Sequence, residues 1–381
     1  MKLGLPLWAR PPLLRCGDAA SEMMTPPLNG RRLWSQTNSC GRGADLVFVR
    51  RARIVENWMR TLRALLCLPL MLCLLALGGC APAISTPGTL LVEPFLTPIA
   101  SLRPASLGEG ERLRVVATTN IVADVVAHVG GDAIELATLL PVGIDPHTYE
   151  PSPQDLTAIV RAHVILINGL GLEAFLATTL QDAGSSAAVV SLSEGIQPLS
   201  REGQGGGVDP HVWLDPNNVA IWVDNAARAL AALDPARAEN YQANADGYRR
   251  SLEELDRWIS SQVSLIPASA RKLVADHDEL GYFAARYGFE VVGALVPAYS
   301  TSAEASAQEI SRLEAAIRSQ GVRCIFVRTG VNVALAQQVA RDTGVPLVPL
   351  YTHSLSGPEG PAASYLRLME YNVNAIVSAL K

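Results

Sequence analysis

Residues 234–267 read DPARAENYQANADGYRRSLEELDRWISSQVSLIP. The apolar residues of this stretch recur at intervals of seven, four and three, the spacing of one face of a helix. They are Tyr241, Tyr248, Leu252, Leu255, Ile259 and Val263. Asp234 is a suitable N-terminal cap, and Pro235 suits the first helical position. We therefore predict a single helix over residues 234–267, in which about thirty helical residues at about 1.5 Å each would extend roughly 45 Å.

Short apolar runs alternate with helical segments on both sides of this helix. Strands are predicted at Val115–Thr118, Ile134–Leu140, Val164–Asn168, Ala188–Leu192, Leu273–Asp276, Glu290–Val296, Arg323–Val327 and Leu347–Tyr351. Helices are predicted at Ile121–Val129, Pro153–Ala162, Leu172–Asp182, Asn217–Leu233, Glu279–Tyr287, Ser306–Ser319, Val333–Asp342 and Ser364–Leu380. Strands that alternate with helices indicate βαβ units and a parallel sheet. The predicted fold class is α/β, with two parallel-sheet α/β lobes (residues 113–233 and 268–381) joined by a single long backbone helix.

An apolar run lies N-terminal to both predicted lobes. Residues 59–80 read MRTLRALLCLPLMLCLLALGGC, with two arginines before the apolar run Ala64–Leu77. That run is too short to span a bilayer and is typical of a signal peptide. The alternative is a buried apolar helix. Such a helix needs an amphipathic or capped continuation, which the Ala-Pro-Ala after Cys80 does not supply. The ending Leu-Gly-Gly-Cys resembles the lipobox of bacterial lipoproteins, so we predict a signal peptide at residues 59–79 and a lipid on Cys80.

The segments on either side of this signal do not read as folded structure. Residues 1–58 are rich in Arg, Pro and Gly and lie upstream of an alternative start, Met59. We predict that translation begins at Met59 and that residues 1–58 are not translated. Residues 80–112 contain five prolines among Ser, Thr, Ala and Gly, which predicts a lipid-anchored flexible tether.

Composition and charge exclude several classes of protein. The 381 residues are 49% hydrophobic, which is enough for a large core. The formal net charge of −5 becomes −12 without residues 1–79, because those contain 11 basic but only 4 acidic residues. Such a charge repels nucleic acids and attracts cations. Cys324 is the one cysteine after Cys80, so the sequence excludes a disulfide framework.

Histidines are the chemically informative residues of the mature chain. Four of the six each follow a predicted strand or its loop, two in each lobe: His147, His211, His277 and His353. Ligands of open α/β sheets gather at the carboxyl ends of the strands, so these four are expected to converge in the cleft between the lobes. The remaining two, His128 and His163, are expected to have structural roles.

Imidazole nitrogen suits zinc, and neighbouring carboxylates can hold the ring by accepting a hydrogen bond from its other N–H. The candidates for this role are Glu150, Asp209, Asp276 and Asp278.

The motifs around these histidines resemble one family, the cluster A-I solute-binding lipoproteins of zinc/manganese ABC importers. The matching stretches are VVATTNIVADVVAHVGGD, LLPVGIDPHTYEPSPQD, DPHVWLDPNN, DHDELGYFAARYGFE and YLRLMEYNVNAIV. The resemblance covers residues 112–381 and implies two lobes joined by one helix. It also implies that the protein binds a divalent metal outside the cell and passes it to a membrane permease with a separate ATPase subunit.

The resemblance also assigns ligands. The first three ligand positions of the family correspond to His147, His211 and His277. At the fourth position the family usually has an aspartate, where this chain has His353. Two further departures are Arg328-Thr329 in place of Glu-Ser, and a glycine-rich segment, residues 203–207, in place of a histidine-rich loop.

Ligand chemistry favours zinc over manganese or iron, since zinc accepts an all-nitrogen tetrahedral site and manganese prefers oxygen. Nickel and copper stay open, because affinity order alone favours them. The chain lacks a GxxxxGK[ST] phosphate loop, so ATP hydrolysis requires another subunit. We expect a monomer held by its lipid at the outer face of the cytoplasmic membrane or in the periplasm.

Two other classes of function stay open at this point. In a zinc hydrolase, three histidines would hold the metal, and Glu150 or Glu279 would act as base. However, the sequence contains neither HExxH nor a Gly-x-Ser-x-Gly elbow. A surface adhesin would expose an apolar patch, which the sequence does not indicate. If His353 is not the fourth ligand, Glu359 and Asp278 are the next candidates.

Overall fold

The computed structural model describes residues 93–201 and 207–381. The predictions for residues 1–58, the signal peptide at 59–79 and the lipid on Cys80 lie outside the described residues. The strands are β1 (Leu113–Ala117), β2 (Ile134–Thr138), β3 (Val164–Ile167), β4 (Ala188–Ser191), β5 (Ser200–Arg201), β6 (Gly207–Val208), β7 (Lys272–His277), β8 (Glu290–Val296), β9 (Ile325–Arg328) and β10 (Leu347–Leu350). The helices are α1 (Asn120–Gly130), α2 (Pro153–Arg161), α3 (Leu176–Ala183), α4 (Pro216–Leu233), α5 (Ala238–Val263), α6 (Gly281–Tyr287), α7 (Ala307–Gln320), α8 (Ala334–Thr343) and α9 (Tyr365–Leu380).

Each lobe has one four-stranded parallel sheet, which confirms the predicted fold class. The strand orders are β2-β1-β3-β4 and β10-β9-β7-β8. Counted within its own lobe, each sheet has the same order, 2-1-3-4, so the two lobes are wound alike. Parallel strands end at a common edge of their sheet, and the loops that follow them can therefore gather ligands there.

The long helix α5 joins the lobes and is half buried along its length. All six residues of the predicted apolar stripe are buried, and Ala245 is buried with them. The helix packs against α1, α4 and α9. One hydrophobic cluster runs through both lobes and this helix. A smaller cluster fills the far side of each sheet, one in the N-terminal lobe and one in the C-terminal lobe. The lobes therefore share a core along α5.

The start of this helix differs from the prediction. α5 begins at Ala238 rather than at residue 234, and a 3₁₀ turn, Pro235–Arg237, precedes it. The buried carboxylate of Asp234 accepts hydrogen bonds from Arg237 Nη1 (2.7 Å) and Tyr241 Oη (2.8 Å). Because these side chains occupy it, Asp234 does not cap the helix with its side chain.

The predicted tether is too long at its C-terminal end. Leu96 forms a parallel bridge with Val189 of β4, and Thr97 N donates to Val189 O at 2.7 Å. Ile99 and Leu102 are buried against the N-terminal lobe. These four residues cover the edge of the sheet. The sequence did not indicate this role, because they are scattered among prolines and small residues. The tether can therefore extend at most over residues 80–92.

The pairing of two short strands was not expected. β5 and β6 form a small antiparallel pair on either side of residues 202–206. Of the helices in residues 93–201 and 207–381, none is long and apolar enough to cross a membrane.

Candidate metal centre

The structure brings the four predicted histidines together between the lobes. His147 lies in the loop after β2, His211 follows the β5–β6 pair, His277 ends β7, and His353 follows β10. The Nε2 atom of His211 is 3.1 Å from that of His147 and 3.3 Å from that of His277. The Nε2 atoms of His277 and His353 are 3.1 Å apart. One nitrogen from each ring lies within 4.8 Å of the others.

These distances match the edges of one coordination tetrahedron. Zinc–nitrogen bonds of about 2.0–2.1 Å place neighbouring nitrogens of a tetrahedral site about 3.3–3.4 Å apart. His211 and His277 are almost fully buried, and His353 is 6% exposed. The convergence of neutral nitrogen lone pairs on one buried point is unfavourable unless a cation lies between them. The donor set therefore fits a transition metal.

Two identical turns carry the histidines of the N-terminal lobe. In Asp145-Pro146-His147 and Asp209-Pro210-His211, the aspartate Oδ1 accepts a hydrogen bond from the histidine backbone N–H, at 3.0 and 2.9 Å. This is the side-chain-to-backbone turn that Asp favours. The repeated Asp-Pro-His sequence therefore presents both histidines in the same way.

His211 is held in the orientation that metal binding needs. Its Nδ1 lies 2.8 Å from the buried Asp209 Oδ1, which can accept the Nδ1 proton and leave the Nε2 lone pair facing the centre. Burial raises the pKa of Asp209 to about 8, and the charges of Asp278 and Glu279 add to this. The surrounding negative charge is the kind that a bound cation relieves. α6 approaches closely here, because a Cβ on Gly281 would lie 2.8 Å from Asp209 Oδ2.

Arg328 connects carboxylates of the two lobes beside His353. Its Nη1 donates to Asp145 Oδ2 and its Nε donates to Asp276 Oδ2, both at 2.7 Å. Nη1 is also 3.0 Å from His353 Nδ1, and Asp145 Oδ1 is 3.3 Å from the same nitrogen. Burial alone would raise the pKa of Asp145, but its contacts with His353 and Arg328 hold that pKa well below its usual range.

The loop that carries His353 is fixed from the opposite lobe. Trp213 Nε1 donates to the carbonyl oxygen of Thr352 at 2.7 Å. Leu355 N donates to Asn120 Oδ1 at 2.8 Å. The backbone on both sides of His353 is therefore bonded to the N-terminal lobe. A cavity of about 260 Å³, lined by both lobes, reaches His353 from the surface.

The other predicted residues lie in different surroundings. Asp276 is paired with Arg328, and its Oδ1 is 3.7 Å from His277 Nδ1, outside hydrogen-bonding distance. Asp278 lies near Asp209 and helps to raise its pKa. Glu150 is exposed, and no hydrogen bond within the described residues joins it to a histidine of the centre. Glu359 is exposed as well. The predicted role of Glu150 beside the metal is therefore wrong.

The two histidines expected to be structural make contacts away from the centre. His128 stacks on Tyr248 with ring centroids 4.2 Å apart. His163 Nδ1 lies 3.0 Å from the backbone N–H of Arg114, from which it accepts a hydrogen bond.

The sequence analysis missed two carboxylates at the centre. Asp145 contacts His353, and its signal in the sequence was the Asp-Pro-His turn that it shares with Asp209. Glu279 lies in the turn after β7, where its N–H donates to His277 O. Its Oε2 is 3.2 Å from His353 Nε2. It had been considered only as the base of a hydrolase.

Comparison with known sequences identifies similar proteins. The profile of the family described as "Zinc-uptake complex component A periplasmic" matches residues 115–379. The manganese-binding lipoprotein MntA of Halalkalibacterium halodurans is 35% identical over 273 residues, which cover 71% of this chain and 90% of that protein. The manganese ABC transporter substrate-binding lipoprotein PsaA of Streptococcus anginosus is 33% identical over 306 residues, which cover 77% of this chain and 98% of that protein.

Among solved structures with the same fold, one is named for zinc and another for manganese. The periplasmic zinc binding protein TroA of Treponema pallidum superposes with a TM-score of 0.67 at 29% identity, covering 71% of this chain and 99% of that one. The Mn-bound periplasmic metal binding protein of Candidatus Liberibacter asiaticus gives a TM-score of 0.65 at 27% identity, with 71% and 100% coverage. These names do not select the metal for this chain.

The histidines of the centre are predicted to take up protons in a defined order. Burial and the neighbouring imidazoles lower the pKa values of His147 and His211 well below 6.5. Burial opposes the charged form of His353, but its contacts with the Asp145 and Glu279 carboxylates outweigh that effect and raise its pKa. In metal-free protein, His353 should therefore protonate before His147 and His211 as the pH falls. An NMR titration of the imidazole Cε1–H signals, assigned with His353→Gln, tests this order, and protonation of His147 or His211 before His353 would contradict it.

Proposed function

We propose, since the chain belongs to the zinc-uptake complex component A family, that it captures zinc at His147, His211, His277 and His353. The chain is the metal-binding component of an ABC transporter and not an enzyme, as its motifs predicted. It delivers its metal to a membrane permease that works with an ATPase subunit. Zinc is the cargo that we assign to it.

The spacing of the Nε2 atoms is the observation that supports zinc. Three of the separations, 3.1, 3.3 and 3.1 Å, fit one tetrahedron of nitrogen ligands. Zinc accepts four nitrogens in this geometry, whereas manganese prefers oxygen. A catalytic zinc needs an open position for water, and four histidines fill all four positions. The same geometry therefore argues for a carrier over a hydrolase.

Manganese is the second candidate. Two of the relatives described above are named for manganese, and both match more than two thirds of this chain. Carboxylate oxygens lie beside the histidines, as manganese requires. Titration with each metal separately decides between the two.

Removal of His353 tests the proposed centre. His353→Ala leaves three nitrogens and should weaken zinc binding by more than about tenfold, since even the loss of a residue that only supports a ligand costs about 10–100-fold. His353→Asp keeps four ligands, adds a hard oxygen, and should shift binding from zinc towards manganese. Competition with a chromophoric chelator measures both affinities.

His128→Ala is the matched control, because it removes a histidine outside the centre and should leave zinc affinity unchanged. Equal zinc affinities for the wild type and His353→Ala would show that His353 is not a ligand.

We also propose that the protein is a monomer anchored through a lipid on Cys80 at the outer face of the cytoplasmic membrane or in the periplasm. The relatives are named lipoproteins, and the sequence before Cys80 has the pattern of a lipoprotein signal. A tether over residues 80–92 would keep the folded part within about 20 Å of its anchor, at about 5–6 Å × √n.

Cys80→Ala is predicted to move the protein from the membrane fraction to the soluble fraction, because acyl chains supply the membrane affinity. Zinc binding should not change, since residue 80 precedes the folded lobes. Fractionation followed by immunoblotting measures the distribution. Full retention of Cys80→Ala in the membrane fraction would refute the anchor.

A further inference from the structure

Glu279 is buried in the metal centre with a carboxylate oxygen that has no hydrogen-bond partner. The residue is 2% exposed, and Oε2 is among the buried polar atoms left unpaired in the described part of the chain. Oε2 lies 3.2 Å from His353 Nε2 and 3.7 Å from His277 Nδ1. An unpaired buried carboxylate is costly unless a cation balances its charge.

We infer that Glu279 supplies a carboxylate oxygen as a fifth ligand beside the four histidines when manganese is bound, so that the centre becomes a mixed nitrogen–oxygen site that binds manganese as well as zinc. The inference rests on the proposed function, because it places Glu279 on the same ion as the histidines. It makes Glu279 the residue that widens the metal selectivity of an otherwise all-histidine site.

The position of Oε2 distinguishes a ligand from a hydrogen-bond acceptor. Once His353 Nε2 binds a metal, that nitrogen holds no proton to donate. A carboxylate oxygen 3.2 Å away then has nothing to accept from it. The same distance is close to the separation of two ligands at about 90° on an ion with more than four ligands, about 3 Å for bonds near 2.1 Å.

The charge of Glu279 also changes the chemistry of the site. Four neutral imidazoles leave a divalent ion with its full charge, and Arg328 adds a further positive charge near His353. Asp145 and Asp276 are already engaged by that guanidinium. A hard anionic oxygen on the ion is the donor that manganese favours and zinc tolerates. Glu279 should therefore matter more for manganese than for zinc.

The test measures the binding of Mn²⁺ alone and of Zn²⁺ alone by the full chain. It compares the wild type with Glu279→Gln and Glu279→Asp. Free Mn²⁺ is measured by electron paramagnetic resonance, and zinc affinity by chelator competition. Glu279→Gln keeps the size of the side chain but removes the charge, so manganese binding should fall at least about tenfold and zinc binding by less than about threefold. Glu279→Asp, which retains a carboxylate, should recover part of the manganese affinity.

Glu150→Gln is the matched control. It removes one carboxylate from an exposed position near His147 in sequence, and it should change neither affinity. A general loss of negative charge therefore cannot account for a selective effect at Glu279. Circular dichroism shows whether each variant folds. If Glu279→Gln does not fold, the manganese and zinc affinities of Glu279→Asp decide whether the inference holds.

Four outcomes separate the inference from the proposed function. Selective loss of manganese binding in Glu279→Gln supports both. Two results overturn the inference alone, provided that the wild type binds zinc. One is an equal manganese affinity of the wild type and Glu279→Gln, and the other is no manganese binding by the wild type. Failure of the wild type to bind zinc overturns the proposed function.

Discussion

Four imidazole nitrogens are held close together between the lobes, and the surrounding structure serves to keep them there. They belong to His147, His211, His277 and His353. Neutral nitrogens about 3 Å apart repel through their lone pairs, and burial removes the water that would otherwise separate them. The protein holds them there with polar contacts. Asp209 orients one ring, and backbone bonds from the opposite lobe fix the loop of another. The arrangement is stable when a cation occupies its centre.

The architecture supplies this constraint from both sides. Strands of the two four-stranded sheets lead directly to His147, His277 and His353, and the small β5–β6 pair leads to His211. A shared core along α5 keeps the carboxyl ends of the strands facing each other. Arg328 adds a polar link between Asp145 of one lobe and Asp276 of the other, directly beside His353. The site and the interface between the lobes are therefore built from the same residues.

Sequence patterns predicted the architecture and the four histidines, because both follow from local rules. The stripe on α5 has helical spacing, and histidines after parallel strands share an edge. Glu279 and Arg328 could not be placed in this way, since their roles depend on contacts between distant loops. Arg328 replaces a residue of the family that is usually acidic, and its pairing with two carboxylates requires the folded lobes. The packing of residues 93–112 was hidden for a similar reason, because a few apolar side chains were scattered among prolines.

The most direct test of the four-histidine centre is a crystal structure of the zinc-loaded protein with anomalous scattering at the zinc edge. We expect a single zinc ion between the lobes, about 2.0–2.1 Å from the Nε2 atoms of His147, His211, His277 and His353. A zinc ion bound elsewhere, or one in the cleft that any of these four rings does not contact, would contradict it.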